Sequence, residues 1–325
     1  MHRVTDVPCL ELTDDGARPG KTARSREAFA RHIAQRVAYA HGWRTAAQGA
    51  RFLGSGLTYL TWFVSLGATE LAVRVPHVTA ENDQPERARR VAQTLSYLLG
   101  LDFPHALPRP LALVGAGARR TIVVQSFVPG GSVGRAGALR VDPADVLARA
   151  AAACHGAAVG PLVDVLPTFG HCGEHGLIEL EVFDDDSDVV RDALAWCHAH
   201  MPPAQLSRLV HGDLVGQNVH AFDDGAGHTR FGVLDWENAF VGDPAYDVAV
   251  ITRGKRHPFG KGRGNVHRVL ETYNEHARAP LPLARVRFYE ACIQANDVGL
   301  ADGRADLIER RRALGEWLRR VDEDP

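Results

Sequence analysis

Residues 209–237 constrain this chain more than any other stretch. Leu209-Val210 lead into His211-Gly212-Asp213, and an Asn follows at position 218. Leu234-Asp235-Trp236-Glu237 then comes after one short hairpin, which turns at Asp223-Asp224-Gly225. Two strands and a tight loop of this kind bring Asp213, Asn218 and Asp235 together. Phosphoryl transfer from a nucleotide needs such a set: one carboxylate to orient and deprotonate the acceptor, and an amide with a second carboxylate to hold Mg²⁺. Asp and Asn also shape turns without doing chemistry. What separates this trio from a plain turn is the second Asp, placed after a strand–turn–strand.

Composition narrows the classes. At 325 residues the chain can bury one large core or two lobes. A formal charge of -2 argues against nucleic acid or an anionic membrane as partner. No apolar run is long enough to span a bilayer and no signal peptide leads the chain, so a cytoplasmic protein is expected. The scattered cysteines (Cys9, Cys154, Cys172, Cys197, Cys292) are odd in number and suit free thiols in a reducing compartment. His171-Cys172 with His175, and Cys197 with His198 and His200, lack a specific zinc-ligand spacing. Gly16 to Thr22 looks like a phosphate-binding loop but is one residue short and follows no strand.

The coarse pattern is a polar lead-in over 1–23, a β-rich lobe over 24–128 and a mainly helical lobe over 129–325. Arg26 to Ala40 reads as an amphipathic helix with Phe29, Ile33 and Val37 on one face. Strands are expected at 51–53, 61–66 and 70–75, a helix from Pro85 to Leu99, and a hairpin at 111–114 and 121–125. Pro129-Gly130-Gly131 closes this lobe. Helices then follow at 143–156, 188–200, 244–252, 265–276, 282–301 and 307–321. The stretch 160–187 is the least readable.

The arrangement resembles the aminoglycoside phosphotransferase family, a branch of the protein-kinase-like superfold. Three signatures carry the resemblance: His211-Gly212-Asp213 with Asn218, Val233 to Glu237, and Gly242-Asp243-Pro244-Ala245-Tyr246-Asp247. It implies an α+β bilobal fold: a small antiparallel sheet with one main helix as the N-lobe, and a larger helical C-lobe. It also implies Asp213 as the catalytic carboxylate, with Asn218 and Asp235 as Mg²⁺ ligands. His211 becomes a scaffold residue rather than a general base. Asp243 before Pro244 reads as a helix N-cap, and Asp247 as structural. Glu237 stands open between metal or substrate contact and solvent.

In the N-lobe the resemblance places a nucleotide, ATP or GTP. Ser55, Gly56 and Thr58 occupy the loop between the first two strands, where glycine lets backbone N–H groups approach phosphates. A plain hairpin would read the same. The only lysines are Lys21, Lys255 and Lys261, so Arg74 stands where a third-strand cation belongs. A guanidinium there can bridge phosphates while pairing with a helix acid. Glu86 is the nearest acid on the following helix, but counting back from Leu98-Leu99 puts Gln93 at the usual place. Gln125, Phe127 and Val128 form the expected hinge against the base.

The acceptor implied is a small hydroxylated molecule such as an aminoglycoside, a macrolide or a choline-like or amino-sugar metabolite. Glu179, Glu181 and Asp184–Asp186 could attract a polycation, and Arg253 to His257 an anion; the sequence does not choose. A non-catalytic binding protein on the same fold is the alternative outside the enzymes, favoured by Arg74 and its uncertain partner. A protein kinase is disfavoured because Asp235-Trp236-Glu237 runs almost directly into Asp243-Pro244, with no room for an activation segment. Oligomeric state is not legible.

Overall fold

A computed structural model of the protein describes residues 7–12, 22–56, 58–77, 84–115, 120–133, 141–169, 187–204, 207–252 and 266–321. The chain divides into two compact units, Met1–Pro129 and Gly130–Pro325.

The first unit is a six-stranded sheet with a helix against each face. Its elements are β1 (Cys9–Glu11), α1 (Ala23–Ala40), β2 (Gly49–Ser55), β3 (Tyr59–Leu66), β4 (Thr69–Pro76), α2 (Gln84–Leu99), β5 (Pro110–Gly115) and β6 (Thr121–Ser126). Strand order is β1-β5-β6-β4-β3-β2, antiparallel throughout except for the parallel β1–β5 pair. Alternation puts Trp62, Val64, Leu71, Val73, Ile122 and Val124 on one face, where they meet Phe29, Ile33 and Val37 of α1. Each such side chain contributes about 1.5–3 kcal/mol by leaving water. The opposite face presents Tyr59, Leu113 and Val123 to Ala88 and Ala92 of α2.

Two sequence readings need correction here. The lead-in over 1–23, whose polar, Gly- and Pro-containing sequence reads as irregular, holds a strand: Cys9–Glu11 pairs with β5, with Cys9 opposite Leu113 and Glu11 opposite Gly115. Three residues carry too little periodicity to announce a strand; pairing with an existing edge makes it one. And α1 begins at Ala23 rather than Arg26, because Thr22 and Ser25 form a capping box in which each hydroxyl accepts the other's backbone N–H.

The second unit opens with β7 (Gly131–Ser132), α3 (Pro143–Gly156) and α4 (Asp188–Ala199), then β8 (Arg208–Val210), β9 (Val219–Asp223), β10 (Thr229–Val233) and β11 (Phe240–Gly242). It closes with α5 (Ala245–Thr252), α6 (Val266–His276), α7 (Leu283–Gly299) and α8 (Gly303–Val321). The hairpin β9–β10 takes β7 beside β9, while among the described residues β8 pairs with β11 alone. Gly130 makes the β7 contact possible: at φ +94°, a Cβ there would lie 2.2 Å from the Ala221 carbonyl oxygen. Every residue of α5 is buried, and the helix packs against α3, α6 and α7. A helix buried on every side belongs in the centre of a core. No helix among the described residues is long and apolar enough to cross a membrane. The expectations placed on 171–175, 179–186 and 253–257, and most of the Gly16–Thr22 stretch, lie outside the described residues.

Candidate active site

The loop between β8 and β9 is held at three points. The first is the His211 ring, whose Nε2 bonds the Leu234 carbonyl at 2.8 Å while Nδ1 accepts the Asp213 N–H at 3.3 Å. That pairing puts the proton on Nε2 and commits both nitrogens to backbone. The ring tilts against Trp236 with centroids 4.7 Å apart and is buried. His211 therefore has no nitrogen with which to deprotonate a substrate, as its scaffold reading requires.

The second point is Gly212. Its φ is +80°, and a Cβ would sit 2.1 Å from the Asn238 carbonyl oxygen. Only glycine fits a left-handed turn so close to another backbone. The third is Asn218, whose Nδ2 donates to both the backbone oxygen and Oδ2 of Asp213, each at 2.9 Å. This fixes the amide's orientation: the nitrogen faces Asp213, so Oδ1 is the face left to act as an acceptor. The Asn218 backbone oxygen accepts from Leu234 N–H at 2.8 Å and so ties the loop to the end of β10. Ser132 of β7 adds a 2.7 Å bond to the Gly216 carbonyl.

Asp235 follows directly. It has φ 61° and ψ 63° and is the one non-glycine residue with positive φ among the described residues. Left-handed backbone costs an L-residue roughly 1–2 kcal/mol, least for Asn and Asp. Such strain persists where surrounding structure enforces it, and here it falls at the expected ligand position. Glu237 sits half-buried in the short helical turn Trp236–Asn238.

Beneath the loop lies a carboxylate whose reach the sequence concealed. Asp247, on α5, is fully buried. Its Oδ2 accepts the His211 N–H at 2.8 Å and its Oδ1 accepts the Gly212 N–H at 2.9 Å. Oδ2 also bonds His155 Nε2 at 3.1 Å, and His155 Nδ1 bonds the Tyr273 hydroxyl at 2.9 Å. Burial pushes the Asp247 carboxyl up, but the His155 bond and charge, with His211 behind them, outweigh it and hold the group below the ordinary carboxylate range. Burial, then the Asp247 charge, drive the Tyr273 phenol up, so it stays protonated. Asp247 was legible only as structural. His155 ends an Ala-rich helix and gave no signal, because its partners stand 92 and 118 residues away.

Asp243 behaves as the expected cap. Its Oδ1 accepts the Ala245 N–H at 3.0 Å, and its Oδ2 pairs with the buried Arg285 at 2.7 Å.

Asn218 and Asp235 carry the hard oxygen donors that a divalent cation would take, and the Leu234 N–H bond to the Asn218 carbonyl brings their backbones together at the strand end. Among the described residues no cluster of three or more His, Cys, Asp or Glu could cage a metal by itself. Mg²⁺ held by two such donors would complete its shell with phosphate oxygens and water.

In the first unit, Arg74 lies on β4 between Thr61 and Val123, with its guanidinium 4.4 Å from the Tyr59 ring centroid. Glu86 pairs at 3.1 Å with Arg89, both of them exposed, and Gln93 is exposed too. The residue that anchors the start of α2 is instead Gln84. It is buried, donates to the Tyr59 hydroxyl at 2.6 Å and to the Thr121 carbonyl, and accepts the Thr121 N–H. Arg74, Tyr59 and Gln84 thus form one continuous contact. In the loop, Gly56 N–H closes the hairpin on the Tyr59 carbonyl, Thr58 accepts from His77 N–H, and the Ser55 hydroxyl lies 3.3 Å from His77 Nε2. At the end of β6, Gln125 and Val128 are buried and Phe127 packs edge-on against Phe63. The Phe127 N–H is committed to the Glu70 carbonyl.

The family model described as "Phosphotransferase enzyme family" matches residues 49–289. Among solved structures, the GDP and kanamycin complex of APH(2")-IIia aligns with TM-score 0.66 at 17% identity, over 89% of this chain and 99% of that one. A thermostable mutant of aminoglycoside phosphotransferase APH(4)-Ia with ADP and hygromycin B gives 0.64 at 16% identity, over 88% and 98%. Spectinomycin phosphotransferase with ADP and spectinomycin gives 0.56 at 12%, over 90% and 94%. At such identities the likeness speaks to the fold. No curated protein matches the chain closely enough to count as a relative.

Proposed function

The chain belongs to the phosphotransferase enzyme family, and from that premise we propose a Mg²⁺-dependent kinase that moves the γ-phosphoryl group of ATP or GTP to a hydroxyl of an antibiotic. Phosphotransfer to a small-molecule hydroxyl is what membership means. The nucleotide, the metal and the acceptor are the finer part of the reading.

The observation that carries it is the Asp213–Asn218 geometry. One amide nitrogen bonds both the backbone carbonyl and Oδ2 of Asp213, so the carboxylate is held in a fixed place on its own loop. We assign it the acceptor hydroxyl: Asp213 receives the hydroxyl's hydrogen bond, aims the oxygen at phosphorus and takes the proton as the new P–O bond forms. Asn218 Oδ1 and Asp235 would hold Mg²⁺, which supplies charge neutralisation to the phosphate oxygens. Residues 24–128 would bind the nucleotide. There Arg74, stacked on Tyr59, would meet phosphate, Ser55, Gly56 and Thr58 would supply the phosphate-facing loop, and Gln125, Phe127 and Val128 would line the base. Glu86, paired with Arg89, would serve the helix rather than Arg74. Residues 129–325 would carry the chemistry and the acceptor. Kanamycin, hygromycin B and spectinomycin in the structural neighbours support a polyhydroxylated amino compound as acceptor. The free thiols of Cys9, Cys154, Cys197 and Cys292 suit work in the cytoplasm.

The test is coupled detection of ADP or GDP release with Mg²⁺, across aminoglycosides, spectinomycin, macrolides, choline and amino sugars. The reading expects one antibiotic to stimulate release in the wild type and Asp213→Ala to abolish it. Stimulation by choline or an amino sugar alone would move the chain to metabolite kinases. Failure of Mg·ATP and Mg·GTP to bind at all, by calorimetry, would replace the kinase reading with the non-catalytic one.

A further inference from the structure

A cavity of about 430 Å³ opens in the second unit, where the end of α4, the 201–203 turn and the start of α7 converge. None of its lining residues belongs to the 211–218 loop or to 235–237. We propose that it is a second small-molecule site, for a neutral, ring-containing apolar ligand, and that its occupancy bears on the catalytic loop.

Three observations support the ligand class. The volume falls within the range that holds drug-sized ligands. Its walls are largely carbon: Trp196, Met201, Pro202, Pro203 and Leu283 contribute, and the prolines fix their own backbone, so the space is preformed. Each of the two arginines that line it has an acidic partner. Arg285 pairs with Asp243 at 2.7 Å, and Arg287 pairs with Glu290 at 3.0 Å. A charged ligand would have to compete with a partner already in place, whereas a neutral ring gains the apolar walls at no such cost.

The link to the loop is a run of hydrogen bonds. Arg285 is buried in the cavity floor, with Nη2 donating to the Pro203 carbonyl and Nε to Asp243 Oδ2, each at 2.7 Å. Asp243 Oδ1 holds the first N–H of α5, and four residues on, Asp247 holds the His211 and Gly212 N–H groups. A ligand that braces Pro203 and Arg285 therefore braces the helix from which the catalytic loop hangs.

The test uses N-phenyl-1-naphthylamine, a neutral two-ring fluorophore. Wild type is expected to bind it with a rise in emission. Ala284→Trp, which fills the cavity from an exposed position, weakens binding by at least about tenfold, and Ala284→Ser leaves it unchanged. With saturating probe, hydrogen exchange at the His211 and Gly212 amides slows by about threefold or more in wild type and not in Ala284→Trp. Undiminished binding by a folded Ala284→Trp would overturn the site. Binding with unchanged exchange at 211 and 212 would overturn the coupling. Neither readout depends on phosphotransfer, so the inference stands or falls apart from the kinase reading.

Discussion

Asp247→Asn probes the anchor of the 211–218 loop with almost no change in shape. Three donors converge on this carboxylate: His211 N–H and His155 Nε2 on Oδ2, and Gly212 N–H on Oδ1. Asparagine keeps one oxygen. Its better orientation retains the two Oδ2 partners and turns an amide nitrogen toward the Gly212 N–H, leaving one buried donor facing another. An unsatisfied buried donor costs about 1–3 kcal/mol, and loss of charge assistance at the remaining bonds adds to it, so about 2–4 kcal/mol is expected. Asp247→Ala frees all three donors and should reach about 5 kcal/mol. Urea denaturation followed by tryptophan emission measures the loss, since buried Trp236 lies against His211. Hydrogen exchange at 211 and 212 localises it. A loop displaced by about 1 Å would also lower turnover by about a hundredfold. Stability within about 0.5 kcal/mol of wild type, with unchanged exchange at both amides, would refute the anchor, because no relaxed geometry satisfies three donors with one oxygen.

Other outcomes follow from the same geometry. Gly212→Ala must place its Cβ 2.1 Å from the Asn238 oxygen at φ +80°; thermal denaturation should show a loss of about 1–3 kcal/mol or more, with activity reduced in step. Asp235→Gly relieves left-handed strain, so it should leave stability within about 1 kcal/mol of wild type, or raise it, while nucleotide turnover is lost. A larger destabilisation would mean that this carboxylate holds the fold rather than a metal. The depressed Asp247 carboxyl favours the charged form in the folded state. Its stabilisation is therefore complete above the unfolded value of about 3.9 and is lost as pH falls below that. An acid titration of His211 and Gly212 exchange should show opening in that window in wild type but not in Asp247→Asn.

The sequence by itself determined the trio and the order of elements. Asp213, Asn218 and Asp235 stand within one strand–loop–hairpin, so local spacing suffices to bring them together, and periods of 2 and 3.6 marked the strands and helices to within a few residues. Asp243 before Pro244 marked the start of α5, where its Oδ1 accepts the Ala245 N–H. Tertiary structure decided what holds the trio in place. Asp247 reaches back 36 and 35 residues to His211 and Gly212, and His155 crosses 92 residues to meet it. Gln84 rather than Glu86 secures α2, since a buried amide can bridge β3 and β6 where an exposed acid pairs with its neighbouring Arg89. Strand β1 exists only because β5 offers an edge. Periodicity records which face of an element is apolar. It carries no record of which distant polar group will be buried against which, because those choices are made when the whole chain must satisfy its donors at once.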